Sequence, residues 1–238
     1  MGILEHLAEL RQRLLRSFMA LIVGVGVGIL LAEPVLEILL QPYRDINPEE
    51  ARRLLVLGPT GAVVNYFRVA LLVGGVIAVP AITHQIMMFV LPGLTKKERR
   101  YVLMTLPAIS ALFVVGILFA WYILMPPAMA FLESFQSDIF RAEWAANEYL
   151  SFVTAILFWM GVAFELPLVL FVLSLLGAVR AGALIRHWRV AIVLSAIAAA
   201  IITPTVDPVN MFLVMGPLVA LYGISIILVL FGQRLTRR

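Results

Sequence analysis

Long apolar runs separated by short polar segments dominate the chain. Six runs can be distinguished, at about residues 17–31, 62–91, 101–125, 150–176, 190–202 and 209–231. A helix that crosses the ~30 Å hydrocarbon core of a bilayer needs about 20 apolar residues. Four runs are secure by this measure, and the first reaches it if its helix starts near Arg13 or continues past Pro34. The pattern predicts an all-α polytopic membrane protein.

The fifth run is short, so a re-entrant segment is an alternative to a crossing. Charge favours the crossing. With six spans, 13 of the 18 Lys and Arg residues lie on the side of the two termini, four lie on the opposite side, and Arg68 lies inside a span. Cytoplasmic segments of membrane proteins are enriched in Lys and Arg. We therefore predict six transmembrane helices with both termini in the cytoplasm.

We predict one six-span domain, a bundle that is concave toward the bilayer and carries a cap of outer loops. Prolines within the spans remove backbone hydrogen bonds and bend helices, including the sixth. The predicted parts of this 1–238 domain are an amphipathic cytoplasmic segment at 1–16, outer loops at 32–61 and 126–149, cytoplasmic loops at 92–100 and 177–189, and a cytoplasmic tail at 232–238.

Composition agrees with a membrane protein, because 63% of the residues are hydrophobic and 13% are charged. There is no cysteine, so neither a disulfide nor a Cys-ligated metal can form. The net charge of +4 is spread over short clusters and indicates topology, not nucleic-acid binding. The three histidines lack ligand spacing and no phosphate-binding loop is present. We expect no metal, no cofactor and no enzymatic activity.

The fourth run contains one acid, Glu165, within the sequence GVAFELPLVLFVLSLLG. A charge at the bilayer centre costs at least ~2.5–3.5 kcal/mol on insertion scales, so such residues mark functional sites by default. A structural hydrogen-bonding role is the first alternative. A secondary transporter with Glu165 as its coupling carboxylate is the second. An intramembrane protease ranks last, because the serines and His84 form no catalytic pattern.

The N-terminal stretch EHLAELRQRLLR has leucines on one helical face and charges on the other. Glu9 and Arg13 are spaced to form an ion pair. Arg68, inside the second run, is expected to extend its guanidinium toward water at the outer surface. Asp207, in ITPTVDPVN, is expected in an outer turn. The glycines of GVGVG, at 24, 26 and 28, are expected to permit close helix packing.

The order of four motifs resembles the TatC family, the core membrane subunits of the twin-arginine protein translocase. The motifs are HLAELRQRL near the N-terminus, FVLPGLTKKERR between the second and third spans, FELP within the fourth, and TP followed by Asp207 before the sixth. Each motif is weak alone, but their order and spacing cover nearly the whole chain. Two departures exist: Tyr222 is followed by Gly223 where the family often has Glu, and PGLTKKERR replaces the more usual PALY followed by HE.

The resemblance implies a receptor for twin-arginine signal peptides in the transport of folded proteins, driven by the protonmotive force. Glu9 and Glu98 match the acids that the family presents to the two signal arginines. Arg11, Arg13 and Phe89 match positions that line or support that site. A carboxylate pair can bind two guanidiniums through bidentate, charge-assisted bonds that lysine cannot reproduce.

The resemblance further implies partners in the bilayer. Glu165, followed by Pro167, matches the acid that meets a polar residue in single-span TatA- and TatB-type subunits. Pro42 and Asp207 match structural positions in the outer turns. The implied location is the cytoplasmic (inner) membrane, with several copies of the chain in one complex and no nucleic acid.

Overall fold

The computed structural model describes residues 3–46, 54–90, 96–137, 139, 144–203 and 207–236. Within these ranges the chain is helical and contains no strand, apart from one isolated bridge between Leu55 and Ala145. The helices are α1 (Ile3–Leu39), α2 (Gln41–Ile46), α3 (Gly61–Val90), α4 (Lys96–Phe119), α5 (Met125–Ser134), α6 (Ala146–Leu175), α7 (Ala181–Arg186), α8 (Trp188–Ile202) and α9 (Pro208–Thr236).

Five long helices are apolar enough to cross a membrane, and they include α1, α3, α6 and α9. The remaining one of these five is α4, which continues through a π-helical turn at Ala120–Leu124 into α5. The apolar helix α8 is shorter, with 15 residues. At ~1.5 Å per residue it extends about 22 Å. The prediction of an all-helical membrane fold is confirmed, and so is the prediction that the fifth apolar run forms a short helix, which is α8.

The helices alternate in direction, so their ends form two opposite surfaces. The terminal end contains the start of α1, the end of α3, the start of α4, the α6–α8 connection and the end of α9. The cap end contains α2, α5 and the first turns of α3, α6 and α9. Helix α1 runs without a break from the predicted amphipathic segment past Pro34, so both of the extensions expected for the first span occur.

The segments predicted as outer loops contain regular structure at the cap end. The first holds the end of α1 and the short α2, and the second holds α5 and the beginning of α6. Aromatic rings join these parts: Tyr43 of α2 lies 5.6 Å from Trp144 and 5.7 Å from Tyr149, centroid to centroid. The buried Tyr149 hydroxyl donates to the carbonyl oxygen of Leu39 at 2.6 Å. A carbonyl in the last turn of α1 thereby gains a partner.

Small residues bring α1 and α3 into close contact. A Cβ atom at Gly24 or Gly28 would overlap backbone atoms of α3 at Gly74 and Ala70. Such stripes of small residues allow the backbones of membrane helices to approach. The packing prediction is confirmed for these two glycines and is wrong for Gly26, which is exposed and has no atom within 4 Å of a Cβ position. Gly26 lies on the other face of α1.

Candidate functional site

An ion pair occupies the first turns of α1 at the terminal end. The Nη2 atom of Arg13 lies 3.1 Å from Oε1 of Glu9, which confirms the pairing predicted from their spacing. Nη1 of the same guanidinium donates to Oε1 of Gln85 in α3 at 3.2 Å. Because one arginine bonds both helices, the carboxylate of Glu9 is held in a fixed position against α3.

The second carboxylate oxygen of Glu9 is buried and has no hydrogen-bond partner among the described residues. A buried, unpaired carboxylate oxygen is costly, so it is a strong acceptor for an incoming donor. Beside it, a groove of about 720 Å³ runs along α1 past Glu9, Arg11 and Arg13. Glu9 lines this groove and has one carboxylate oxygen without a partner among the described residues, so the arrangement can bind a cationic group.

A pair of stacked rings borders the same region. The His6 ring of α1 lies 4.4 Å from the Phe89 ring of α3, centroid to centroid, with 21° between their planes. This contact and the Arg13–Gln85 bond hold the start of α1 against the end of α3. Sequence reasoning missed His6 and Gln85 as parts of the site. His6 lies three residues before Glu9, a spacing that places both on neighbouring positions of one helix face.

Glu98 belongs to the first turn of α4, which begins at Lys96. Its backbone is at the terminal end, and its side chain lies outside the described part of the structure. Arg11 is exposed and lines the groove with Glu9. The structure thus brings together four of the predicted signal-binding residues, Glu9, Arg11, Arg13 and Phe89, at one end of the α1–α3 pair.

Glu165 lies in the second half of α6, on a different helix from the groove at Glu9, which residues of α1 line. Its side chain is half-buried, and its buried Oε1 atom has no hydrogen-bond partner among the described residues. The next residue, Leu166, is exposed, whereas Pro167 is buried. The acid therefore lies beside a lipid-facing surface with an unused acceptor. A purely structural hydrogen-bonding role has no partner within the described chain.

Polar residues at the cap end have structural contacts. Asp207 caps α9: its Oδ1 accepts from the backbone N–H of Asn210 at 2.7 Å, and its Oδ2 accepts from the Asn210 side chain at 3.0 Å. Pro42 is a half-buried residue in the first turn of α2. Arg68 extends toward the cap end as predicted, but its Nη1 bonds to protein, at 2.9 Å from the carbonyl oxygen of Asn147.

The position that departs from the family pattern is on the surface. Gly223 of α9 is exposed and has no atom within 4 Å of a Cβ position. The preceding Tyr222 donates from its hydroxyl to the carbonyl oxygen of Leu184 in α7 at 2.7 Å. Among the described residues, no group of three or more His, Asp or Glu side chains could hold a metal ion.

The chain is similar to known proteins over almost its full length. A family model described as "Sec-independent protein translocase protein (TatC)" matches residues 5–217. The relative of that name from Koribacter versatilis is 35% identical over 228 residues, which are 95% of this chain and 84% of the relative. The one from Synechocystis sp. is 34% identical over 222 residues, covering 93% and 85%.

A solved structure has the same fold. The "Crystal Structure of Twin Arginine Translocase Receptor- TatC" superposes with a TM-score of 0.86 at 35% sequence identity, covering 96% of this chain and 100% of that chain. The family match, the relatives and the shared fold agree with one another. The chain belongs to the TatC family of Sec-independent protein translocase proteins.

Proposed function

We propose that the protein is the signal-peptide receptor of a twin-arginine translocase and the platform on which single-span subunits assemble. Its family makes it a multi-pass membrane component of a protein translocase, a transport component and not an enzyme. The family also favours protein transport over the alternative of a small-solute transporter. What we propose beyond the family assignment is the receptor role and the identity of the partner subunits.

The observation that carries the receptor role is the unused, buried oxygen of Glu9 beside the groove on α1. Arg13 occupies only the other oxygen of that carboxylate. An arginine of the signal peptide would donate to the free oxygen through its planar fork. Glu98 would bind the neighbouring arginine, since α4 begins at the same end of the bundle at which α3 ends.

Discrimination between arginine and lysine follows from the shape of the donors. A guanidinium offers parallel N–H groups that match a carboxylate, whereas an ammonium is a compact point charge with a stronger hydration shell. At a partly buried carboxylate such as Glu9, loss of hydration costs the lysine more. Two adjacent arginines would therefore be preferred over two adjacent lysines.

Glu165 is the proposed contact for TatA- and TatB-type subunits. A helix that crosses the membrane can satisfy the unpaired Oε1 atom only if it carries a hydrogen-bond donor at the matching depth. Beside it, the exposed Leu166 offers apolar contact to such a helix. The intramembrane acid is thus tolerated because a partner of the complex satisfies it. Several copies of the chain would be joined in that complex.

The proposed location is the cytoplasmic membrane, with the terminal end in the cytoplasm. Arg11, Arg13, Arg16 and Arg180 lie at this end, as the charge rule for cytoplasmic segments requires. A signal peptide would meet Glu9 from the cytoplasm before its cargo crosses. The sequence contains no phosphate-binding loop, so we propose the protonmotive force as the source of energy.

Photo-crosslinking in native membranes tests the receptor proposal. A photoreactive residue replaces Gln12, which lines the groove beside Glu9, in one variant and the exposed Glu33 at the far end of α1 in the control. We expect a labelled twin-arginine peptide to crosslink from position 12 and not from position 33. Excess unlabelled twin-arginine peptide removes the product, and its twin-lysine analogue does not. Equal crosslinking from both positions would contradict a defined site at the terminal end.

A further inference from the structure

Arg68 lies at one end of a groove that the proposed receptor role does not use. The groove has a volume of about 350 Å³ and runs between α3 and α6 on the cap side of the bundle. Its other lining residues are apolar or carry a hydroxyl group: Leu71, Leu72, Ser151, Thr154, Ala155 and Phe158. The cavity therefore combines a single cation with an apolar floor.

The guanidinium of Arg68 sits close to the end of the helices. Its Cα atom is seven residues from the start of α3, about 10 Å along the axis. The side chain reaches back to the first turn of α6, where Nη1 donates to the carbonyl oxygen of Asn147 at 2.9 Å. Asn147 is exposed. The charge is thus placed near the level at which the helices leave the membrane, where lipid phosphates lie.

One edge of this guanidinium is already in use and the other is available. Nη1 also donates to Oδ1 of Asn65 at 3.3 Å, so both described hydrogen bonds use the same nitrogen. Within the described residues, the Nε and Nη2 groups have no acceptor. These two groups are parallel and match two oxygens of a phosphate. Because Nη1 is anchored, the free edge is held in a fixed orientation.

The part of the groove that lies away from Arg68 suits a hydrocarbon chain. Its α6 residues, Ser151, Thr154, Ala155 and Phe158, recur at helical spacing on one face. The hydroxyl of Thr154 donates to the carbonyl oxygen of Leu150, so it offers no free donor to the groove. On the α3 side, Leu71 is 56% exposed, so the groove opens toward lipid. The ring of Phe158 lies against Gly75 and narrows the groove at its inner end.

We propose that this groove is a binding site for one phospholipid of the leaflet at the cap end, with its phosphate on the free edge of Arg68 and one acyl chain along Leu72 and Phe158. The site prefers an anionic headgroup such as phosphatidylglycerol. A choline headgroup carries its own cation, which would lie close to the guanidinium and repel it. The inference is independent of the receptor role of Glu9, which lies at the opposite end of the bundle.

Lipid titration of the full-length, delipidated protein in detergent tests the site by native mass spectrometry. The variants are Arg68→Gln, Arg68→Lys and the control Arg44→Gln, which removes an exposed charge from α2 at the same end. We expect Arg68→Gln to lower the affinity for one phosphatidylglycerol by about tenfold or more, the effect of losing charge-assisted hydrogen bonds. Arg68→Lys gives an intermediate loss, and Arg44→Gln none.

A phosphatidylglycerol with a photoreactive acyl chain locates the bound lipid. Crosslinks at Leu72 or Phe158 that disappear in Arg68→Gln and persist in Arg44→Gln support the site. Equal loss of these crosslinks in both variants would mean that the lipid is held by general electrostatic attraction and not by a defined site. The proposal would be overturned if a phosphate-free lipid bound as tightly as phosphatidylglycerol, or if inorganic phosphate alone displaced the phospholipid. If Arg68→Gln does not accumulate, Arg68→Lys keeps the charge and decides: unchanged affinity in that variant rejects the bidentate geometry.

Discussion

Arg13 and Glu9 form an ion pair at 3.1 Å in which the arginine satisfies one carboxylate oxygen and leaves the other buried without a described partner. The same guanidinium is bonded to Gln85 of α3. Glu9 is therefore oriented before any ligand arrives, and little ordering of its side chain remains to oppose binding. The pair also means that an incoming arginine shares this carboxylate with Arg13.

Replacing Glu9 with Ala tests the role of this oriented acid. We expect binding of a twin-arginine peptide to weaken by about tenfold to a hundredfold, the effect of losing charge-assisted hydrogen bonds. Binding of the twin-lysine analogue, which is weak from the start, changes less. Fluorescence anisotropy of labelled peptides on the purified protein measures both. Glu33→Ala removes an exposed acid from the same helix and serves as the control. Equal losses for both peptides would argue against recognition of the guanidinium.

Replacing Glu98 with Gln keeps the shape of the side chain and removes its charge. We expect a clear loss of affinity for the twin-arginine peptide at low salt and a smaller loss at high salt. High salt already weakens such an ion pair in the wild-type protein, since the Debye length falls from about 10 Å at 0.1 M to 3 Å at 1 M. Peptide titrations at both ionic strengths measure the difference. A loss that does not depend on salt would mean that Glu98 does not act through its charge.

Replacing Glu165 with Ala separates assembly from recognition. Because Glu165 belongs to α6 and does not line the groove at Glu9, peptide affinity is expected to stay within about twofold of wild type, which is less than 0.5 kcal/mol. Co-purification with TatA- and TatB-type subunits, and export of a folded reporter protein, are expected to fall. Glu148→Ala, which changes an exposed acid in the first turn of α6, is the matched control. Normal export by the Glu165→Ala protein would remove the role proposed for this acid.

Two glycines of α1 provide a matched test of helix packing. A methyl group at Gly28 would overlap the backbone of α3, so Gly28→Ala is expected to destabilise the protein by about 1–3 kcal/mol through overpacking. Gly26→Ala adds its methyl group on the open face of the same helix, and better helix propensity makes it neutral or slightly stabilising. Thermal unfolding in detergent compares the two variants. Similar melting temperatures for both would show that the α1–α3 contact is looser than described.

The hydroxyl of Tyr149 is expected to stabilise the cap. Tyr149→Phe removes the donor to Leu39 and leaves a buried carbonyl oxygen without this partner, at a cost of about 1–3 kcal/mol. Tyr122→Phe changes a tyrosine that is 70% exposed and is expected to have little effect. Unfolding of the two variants in parallel measures the difference. Equal stability would mean that water or another donor replaces the hydroxyl.

Much of the fold could be predicted because membrane crossing imposes a length and a composition on each helix. The apolar runs located the long helices and the short α8, and the spacing of Glu9 and Arg13 predicted their ion pair. The helices within the cap were not predicted. Short helices such as α2 are stabilised by tertiary contacts such as that between Tyr43 and Tyr149, which join distant segments and leave no local periodic signal.

The candidate site, like the fold, could be predicted only in part from the sequence. Glu165 was identified because a charged residue within an apolar run is unusual whatever surrounds it, whereas Glu9 was identified through the resemblance of its motif to the TatC family. The roles of His6 and Gln85 were missed, since each depends on a neighbour more than 70 residues away in the chain, Phe89 for the first and Arg13 for the second. Arg68 was expected to reach water, whereas it bonds to the backbone of α6.

Local composition was enough to predict which segments enter the membrane and which residue types occur at each depth, because the free energy of transfer into hydrocarbon is a property of each segment. Which of these residues meet depends on how the helices pack. The Arg13–Gln85 bond and the contact of Gly28 with Ala70 arise from the antiparallel packing of α3 against α1, and the groove beside Arg68 arises from the parallel packing of α3 against α6. That register depends on the fit of two surfaces, and no single segment specifies it.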